Sequence, residues 1–241
     1  MDLSVHLNIL FYLGIYLFSY PVVKHGVNFF FKGNNLDKDR MNYVCKNFVK
    51  VIALSILVVR AFYGIIDALC NDVWDNKVFY ELGYAYAMTD VAGLIMVRRL
   101  PINTKIHHAT TLVLSFLNTF NDYTQPTIWR GLILYSYFSA LALLVNLYLG
   151  LRVIIPNEKC TQLCRIALWN YITVCYANWF YQVNLISKTG ISGFFSVLYV
   201  GLIIMIMYDD IKLIQFLRYQ DIKYRLLDKI SYKDKDKNAY D

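Results

Sequence analysis

Histidine and cysteine are too sparse in this chain to build the metal centres that many membrane enzymes use. Its four histidines, His6, His25, His107 and His108, fall short of the spaced clusters needed by a di-iron desaturase or an elongase, so no metal is expected. The five cysteines, at 45, 70, 160, 164 and 175, are odd in number and scattered, which excludes a disulfide framework. Cys160 and Cys164 form a C-x3-C pair with too few Cys and His nearby for a four-ligand zinc site. They read as ordinary reduced thiols, with juxtamembrane palmitoylation as the alternative. Proline is also rare: Pro21, Pro101, Pro126 and Pro156 fall at or outside the ends of apolar segments, where a missing N–H costs least. The first apolar segment, Leu3 to Val23, lacks a basic leader and a small-residue cleavage site, and is expected to be retained. The last apolar segment has no Lys for a retinal Schiff base, and neither D-R-Y nor N-P-x-x-Y occurs in its receptor position. With no internal repeat and no Gly/Pro-broken helix pair, nothing supports a transporter either.

What the chain has in abundance is apolar surface arranged in blocks. Of its 241 residues, 58% are hydrophobic and 17% aromatic, with a mean hydropathy of +0.40. Seven segments approach the roughly 20 residues needed to cross about 30 Å of hydrocarbon: 3–23, 48–70, 78–97, 105–121, 128–151, 165–187 and 191–211. The expected fold is therefore an all-α, polytopic transmembrane helical bundle of about seven spans. Residues 1–40 would hold the first span and a cytosolic loop, 41–222 the main bundle, and 223–241 a charged cytosolic tail, disordered from Tyr232 onward. Between Ile211 and Ile230, apolar residues recur with helical spacing (Ile214, Leu217, Ile222, Leu226), as in a helix leaving the last span or lying on the membrane.

Charge orients the bundle. Of the 24 Lys and Arg, 20 fall in four segments that share one side if the spans alternate: six from Lys24 to Lys50, three from Arg98 to Lys105, three from Arg152 to Arg165, and eight from Lys212 onward. The opposite side carries only Lys77, Arg130 and Lys188, with acidic turns around Asp72, Asp75 and Asp122. The positive-inside rule then predicts a lumenal or external N-terminus and a cytosolic C-terminus. This bias also explains the net charge of +7 without nucleic acid as a partner.

Arg60, Asp67, Glu81 and Asp90 fall inside expected spans, where each charge costs about 2.5–3.5 kcal/mol on insertion scales. They must face the interior, a wet cavity or one another. Arg60 and Asp67, two turns apart, share a helix face. Arg60 pairing with Asp90 or Glu81 as glue between spans two and three, and a role for these residues in a site, both remain open. Asn103 or Thr104 would cap the fourth span, placing the adjacent His107 and His108 in or at the end of its first turn. The positive helix end disfavours imidazolium there. A neutral imidazole can act as nucleophile, base or hydrogen-bond donor. Adjacent residues point about 100° apart, so only one of the two faces a given partner squarely.

Gly83-Tyr84-Ala85-Tyr86, then Asp90, then His107-His108 followed by Thr111 and Leu114, resemble the TLC-domain family, whose motif runs H-H-x-x-T-x-x-L. Arg130-Gly131, Asn146 followed by Arg152, and the aromatic run from Tyr176 to Val183 extend the likeness, which covers about 41–222. The resemblance implies a helical bundle of the endoplasmic reticulum or a related endomembrane, with a central cavity at the His pair, acting on sphingolipids, acyl chains or membrane lipid composition. It makes membrane lipids the expected partners, self-association a further option, and Asp90, His107 and His108 the binding or catalytic residues. Thr111 and Asn146 would join Arg60, Asp67 and Glu81 around the cavity. Ceramide synthases of that family carry a His-Asp pair in the span after the first histidines. Residues 128–151 contain no His, Asp or Glu. The non-synthase branch, a lipid-binding or lipid-regulating protein without a cofactor, is therefore the leading expectation, and an N-acyltransferase using acyl-CoA as substrate is the alternative.

Overall fold

The computed structural model describes residues 3–31 and 36–238, and the described chain is helical with turns and no strand. Its helices are α1 (Leu3–Phe30), α2 (Lys38–Asn71), α3 (Asn76–Met96), α4 (Ile102–Asn118), α5 (Arg130–Leu141), α6 (Leu143–Leu151), α7 (Asn157–Thr189) and α8 (Gly193–Asn238). Each apolar block read from the sequence lies on a helix, or for 128–151 on the consecutive pair α5 and α6. Among the described residues, three helical stretches are long and apolar enough to cross a membrane: Leu7–Phe30, Lys38–Asn71 and Gly193–Leu227. The bent pair α5–α6 makes a fourth if it is one span. Their outward faces carry large apolar side chains in the open, among them Phe18, Val59 and Phe194, a distribution suited to contact with lipid.

Several boundaries differ from the expected ones. Helix α2 starts at Lys38, where Asp37 caps it by accepting the Arg40 N–H at 2.8 Å, and not near residue 48. Two of the six basic residues assigned to the first loop, Lys46 and Lys50, are consequently buried in a helix; residues 32–35 of that loop lie outside the described residues. Pro21 sits inside α1, which continues to Phe30. The span expected at 128–151 breaks at Ala142, with a bend of 41° between α5 and α6. The tail expected to be disordered is helical to Asn238, because extending an existing helix needs no new nucleus. Residues 239–241 of that tail lie outside the described residues.

The packing places the candidate site. Helix α2 runs against α1, α3, α5 and α6; α7 lies along α8; and α4 is held between α3 and α8. One end of the bundle is tied by Arg130, which donates to Asp72 at 2.8 Å and to the carbonyls of Tyr123 and Thr124 at 2.9 and 3.0 Å, and stacks on Trp74. This clamp satisfies a buried guanidinium through its fork of donors. In the opposite half, nearer the start of α4, the helices separate around a cavity.

Candidate functional site

A cavity of about 390 Å³ is bordered by side chains from α2, α4, α6 and α8, including Lys46, Lys50, His107, His108, Asn146 and Asp209. Two residues of α2 one turn apart, Lys46 and Lys50, point into the bundle with 7% of each exposed. Lys50 Nζ donates to Asp90 Oδ1 of α3 at 2.5 Å and lies over the Tyr86 ring at 5.4 Å. Lys46 Nζ is 3.2 Å from His108 Nε2. An ammonium has only donors, so His108 Nε2 accepts, and the ring is neutral with its proton on Nδ1. That nitrogen stands 3.0 Å from Asp90 Oδ1, although off the line of a hydrogen bond. Asp90 is fully buried and its Oδ2 has no partner.

His107 faces elsewhere, as the angle between adjacent helical residues requires. Its Nδ1 lies 3.1 Å from Asp209 Oδ2 of α8, again close without being aligned. The neighbouring Asp210 is nine-tenths or more buried and takes hydrogen bonds from Tyr135, from Tyr171 at 2.6 Å and from Trp179 at 3.4 Å. Two acid-histidine contacts thus sit side by side, one closed by lysines and one bordering the cavity. The aromatic donors let Asp210 remain buried without a cation against it.

His107 also borders a second, narrower cavity of about 30 Å³, room for about two waters. On α4 the side chains of His107, Thr111, Ser115 and Asn118 line it in succession, facing Ser136 and Tyr135 of α5. Asn118 is fully buried and neither of its amide atoms has a partner. Thr111 bonds back to the His107 carbonyl at 3.0 Å, which leaves it a wall residue rather than a partner of either imidazole.

The expected set is brought together only in part. Asp90, His107 and His108 converge, Thr111 lines the narrow cavity, and Asn146 lines the large one. Arg60 reaches Glu81 at 3.4 Å, not Asp90, and the two border a separate cleft with Tyr12. The register of α2 against α3 explains this: the buried cation at the level of Asp90 is Lys50. Asp67 is in neither group and accepts from Asn71 at 3.1 Å. The histidines stand in the second turn of α4, not the first, since α4 starts at Ile102 after Pro101 and neither Asn103 nor Thr104 caps it. The positive helix end, whose influence fades beyond the first turn, therefore does not set the state of His108. Lys46, Lys50, Asp209 and Asp210 were missed. The i, i+4 spacing of the two lysines, continuous with the apolar period of α2, was the signal available.

Asp90, His107 and His108 bring three ligand-type atoms within 4.8 Å of one another and could hold a metal. Asp90 Oδ1 and His108 Nε2 are each contacted by a lysine ammonium, whereas Asp90 Oδ2 and the Nδ1 atoms of both histidines have no hydrogen-bond partner. All five cysteines are free, and Cys160 and Cys164 are fully buried, which removes both from the palmitoylation alternative. Compared with protein-family models, with curated proteins and with solved structures, the chain matches none.

Proposed function

We propose that this chain is an integral membrane protein that handles lipid, binding a headgroup or acyl carbonyl in the cavity beside His107 and His108. The observation that carries this reading is the buried Lys46–His108–Asp90–Lys50 network at the cavity wall. Four ionisable or polar side chains held at depth among apolar helices cost too much to be retained as packing alone. The TLC-like run from Gly83 to Leu114 supplies these residues in part, and the non-synthase branch suits residues 128–151, which have no acid or histidine. The lipid that the resemblance implies is a sphingolipid or another acyl-bearing lipid.

The proposed topology has seven crossings, with a lumenal or external N-terminus and a cytosolic C-terminus, in the endoplasmic reticulum or a related endomembrane. Helices α3, α4 and α7 complete the seven. The polar residues that lower the hydropathy of α3 and α4, such as Thr89, Asp90, His108 and Asn118, are buried within the bundle and do not meet lipid. The test is to replace His107 and His108 with Ala and measure co-purifying lipid and the cellular lipidome. Loss of bound lipid at unchanged expression is expected, and an unchanged lipidome with unchanged bound lipid sinks the reading.

The second reading is an acyl-CoA-dependent N-acyltransferase, favoured by the His107–Asp209 contact at 3.1 Å. A carboxylate beside one ring nitrogen orients an imidazole for base or acyl-acceptor chemistry at the other. Turnover of acyl-CoA by purified protein, with an acylated histidine found by mass spectrometry, would favour it. Absence of both across a range of amines rejects it.

A further inference from the structure

Three cations at or near the large cavity make no ion pair among the described residues. Lys46 is buried, and its polar contact is with His108 Nε2 at 3.2 Å. Lys212, which lines the cavity, lies over the Tyr208 ring at 5.2 Å. Arg152 stacks at 4.9 Å on Phe216, whose ring lines the cavity, and its Nε is buried without a partner. Lys50 differs, because Asp90 compensates it.

The same cavity meets the start of α4. That helix begins at Ile102 with Pro101 before it and no side-chain cap, and Pro101 together with Asn103 and Thr104 of the first turn lines the cavity. Unpaired N–H groups of a first turn attract anions. A buried ammonium without a counter-ion is costly, and an anionic oxygen that reaches it removes the cost. The two acids on the wall do not serve: Asp210 is held by Tyr135, Tyr171 and Trp179, and Asp209 stands against His107.

We propose that the cavity takes a phosphate-bearing group, its oxygens held by Lys46 and the first turn of α4, with Lys212 and Arg152 supplying further positive charge. Phosphate is preferred to carboxylate because it offers more acceptor oxygens and more charge to a site with several uncompensated cations. This rests on the lipid-handling reading and narrows its ligand to a phosphate, carried either by a lipid headgroup or by a soluble molecule.

The test uses the full-length protein in nanodiscs, with phosphatidic acid, diacylglycerol of the same chains, and inorganic phosphate as probes. Native mass spectrometry should find phosphatidic acid retained about tenfold or more over diacylglycerol, as charge-assisted contacts require. Lys46→Gln should abolish that preference while Lys46→Arg keeps it, which separates recognition from misfolding. Lys212→Gln should weaken it by a smaller factor. Equal retention of the two lipids by the unaltered protein, or an unchanged preference in folded Lys46→Gln, overturns the phosphate site. With equal retention, the lipid reading survives. Binding of inorganic phosphate that depends on Lys46, with neither lipid retained, keeps the phosphate site and instead removes the lipid reading.

Discussion

Lys50 of α2 and Asp90 of α3 form a buried ion pair at 2.5 Å, and His108 of α4 closes on the same carboxylate oxygen at 3.0 Å. One carboxylate thereby joins three helices. Removing one partner of a buried pair strands the other, at about 3–5 kcal/mol, whereas replacing both with apolar groups of similar size is often close to neutral. Asp90→Leu and Lys50→Met should each lower the unfolding temperature of the detergent-solubilised protein sharply. The double variant should recover much of the loss. A double variant as unstable as the sum of the singles would mean that the pair is not coupled as its geometry requires.

Asp210 is held by a different device, in which aromatic donors replace a cation. Tyr135, Tyr171 and Trp179 all point their donors at its two oxygens. Hydrogen bonds to a charged group contribute about 1.5–3 kcal/mol each, so Tyr135→Phe and Tyr171→Phe should each destabilise by about that amount. Because both phenols serve one carboxylate, the double variant should deviate from additivity. Thermal unfolding of the two singles and the double measures the deviation, and strict additivity argues against a shared acceptor.

Much of the framework was legible because apolar blocks declare themselves regardless of tertiary context. The helical character of all seven segments could be read that way, whereas the grouping of Asp90 with the His pair came from the resemblance to the TLC motif. Partner choice across helices could not be read, since it depends on register. Arg60 stands in mid-span by counting, with Asp90 and Glu81 both open as its partner, and only the helix register delivers it to Glu81. Lys46 and Lys50 looked like loop residues because a Lys-rich segment precedes them, while Asp37 caps a helix that carries both inward. The acids that face His107 and the aromatic cage come from Asp209 and Asp210 at the far end of the chain. No local motif links them to residue 107.

Outside the bundle, the turn after α4 has a pH-dependent element. Asn76 donates to Asp122 at 2.8 Å, and Thr124 adds its hydroxyl and its backbone N–H. These bonds, the Asn76 amide foremost, hold the Asp122 carboxyl below its ordinary value of 3.8. A depressed folded value means that the contribution to stability is present above the unfolded value and is lost as pH falls through the folded one. Asp122 is exposed, so the effect is small. The difference in unfolding temperature between the unaltered protein and Asp122→Asn should be constant at neutral pH and shrink below about pH 3.8. A difference that widens on acidification would contradict this sign.

The two histidines should also differ in chemical reactivity. His108 is 3% exposed and its Nε2 lone pair is directed at Lys46. His107 has 17% of its side chain exposed and borders both cavities. Acylation by diethyl pyrocarbonate needs a free ring lone pair and a path for the reagent. The exposed His25 should react fastest, His107 more slowly, and His108 several-fold more slowly still. Lys46→Met removes the donor at Nε2 and should raise labelling of His108 relative to His107. Site-resolved mass spectrometry reads each rate. Equal rates at 107 and 108 in the unaltered protein would show that His108 is not held by Lys46, and would return it to the set of available bases.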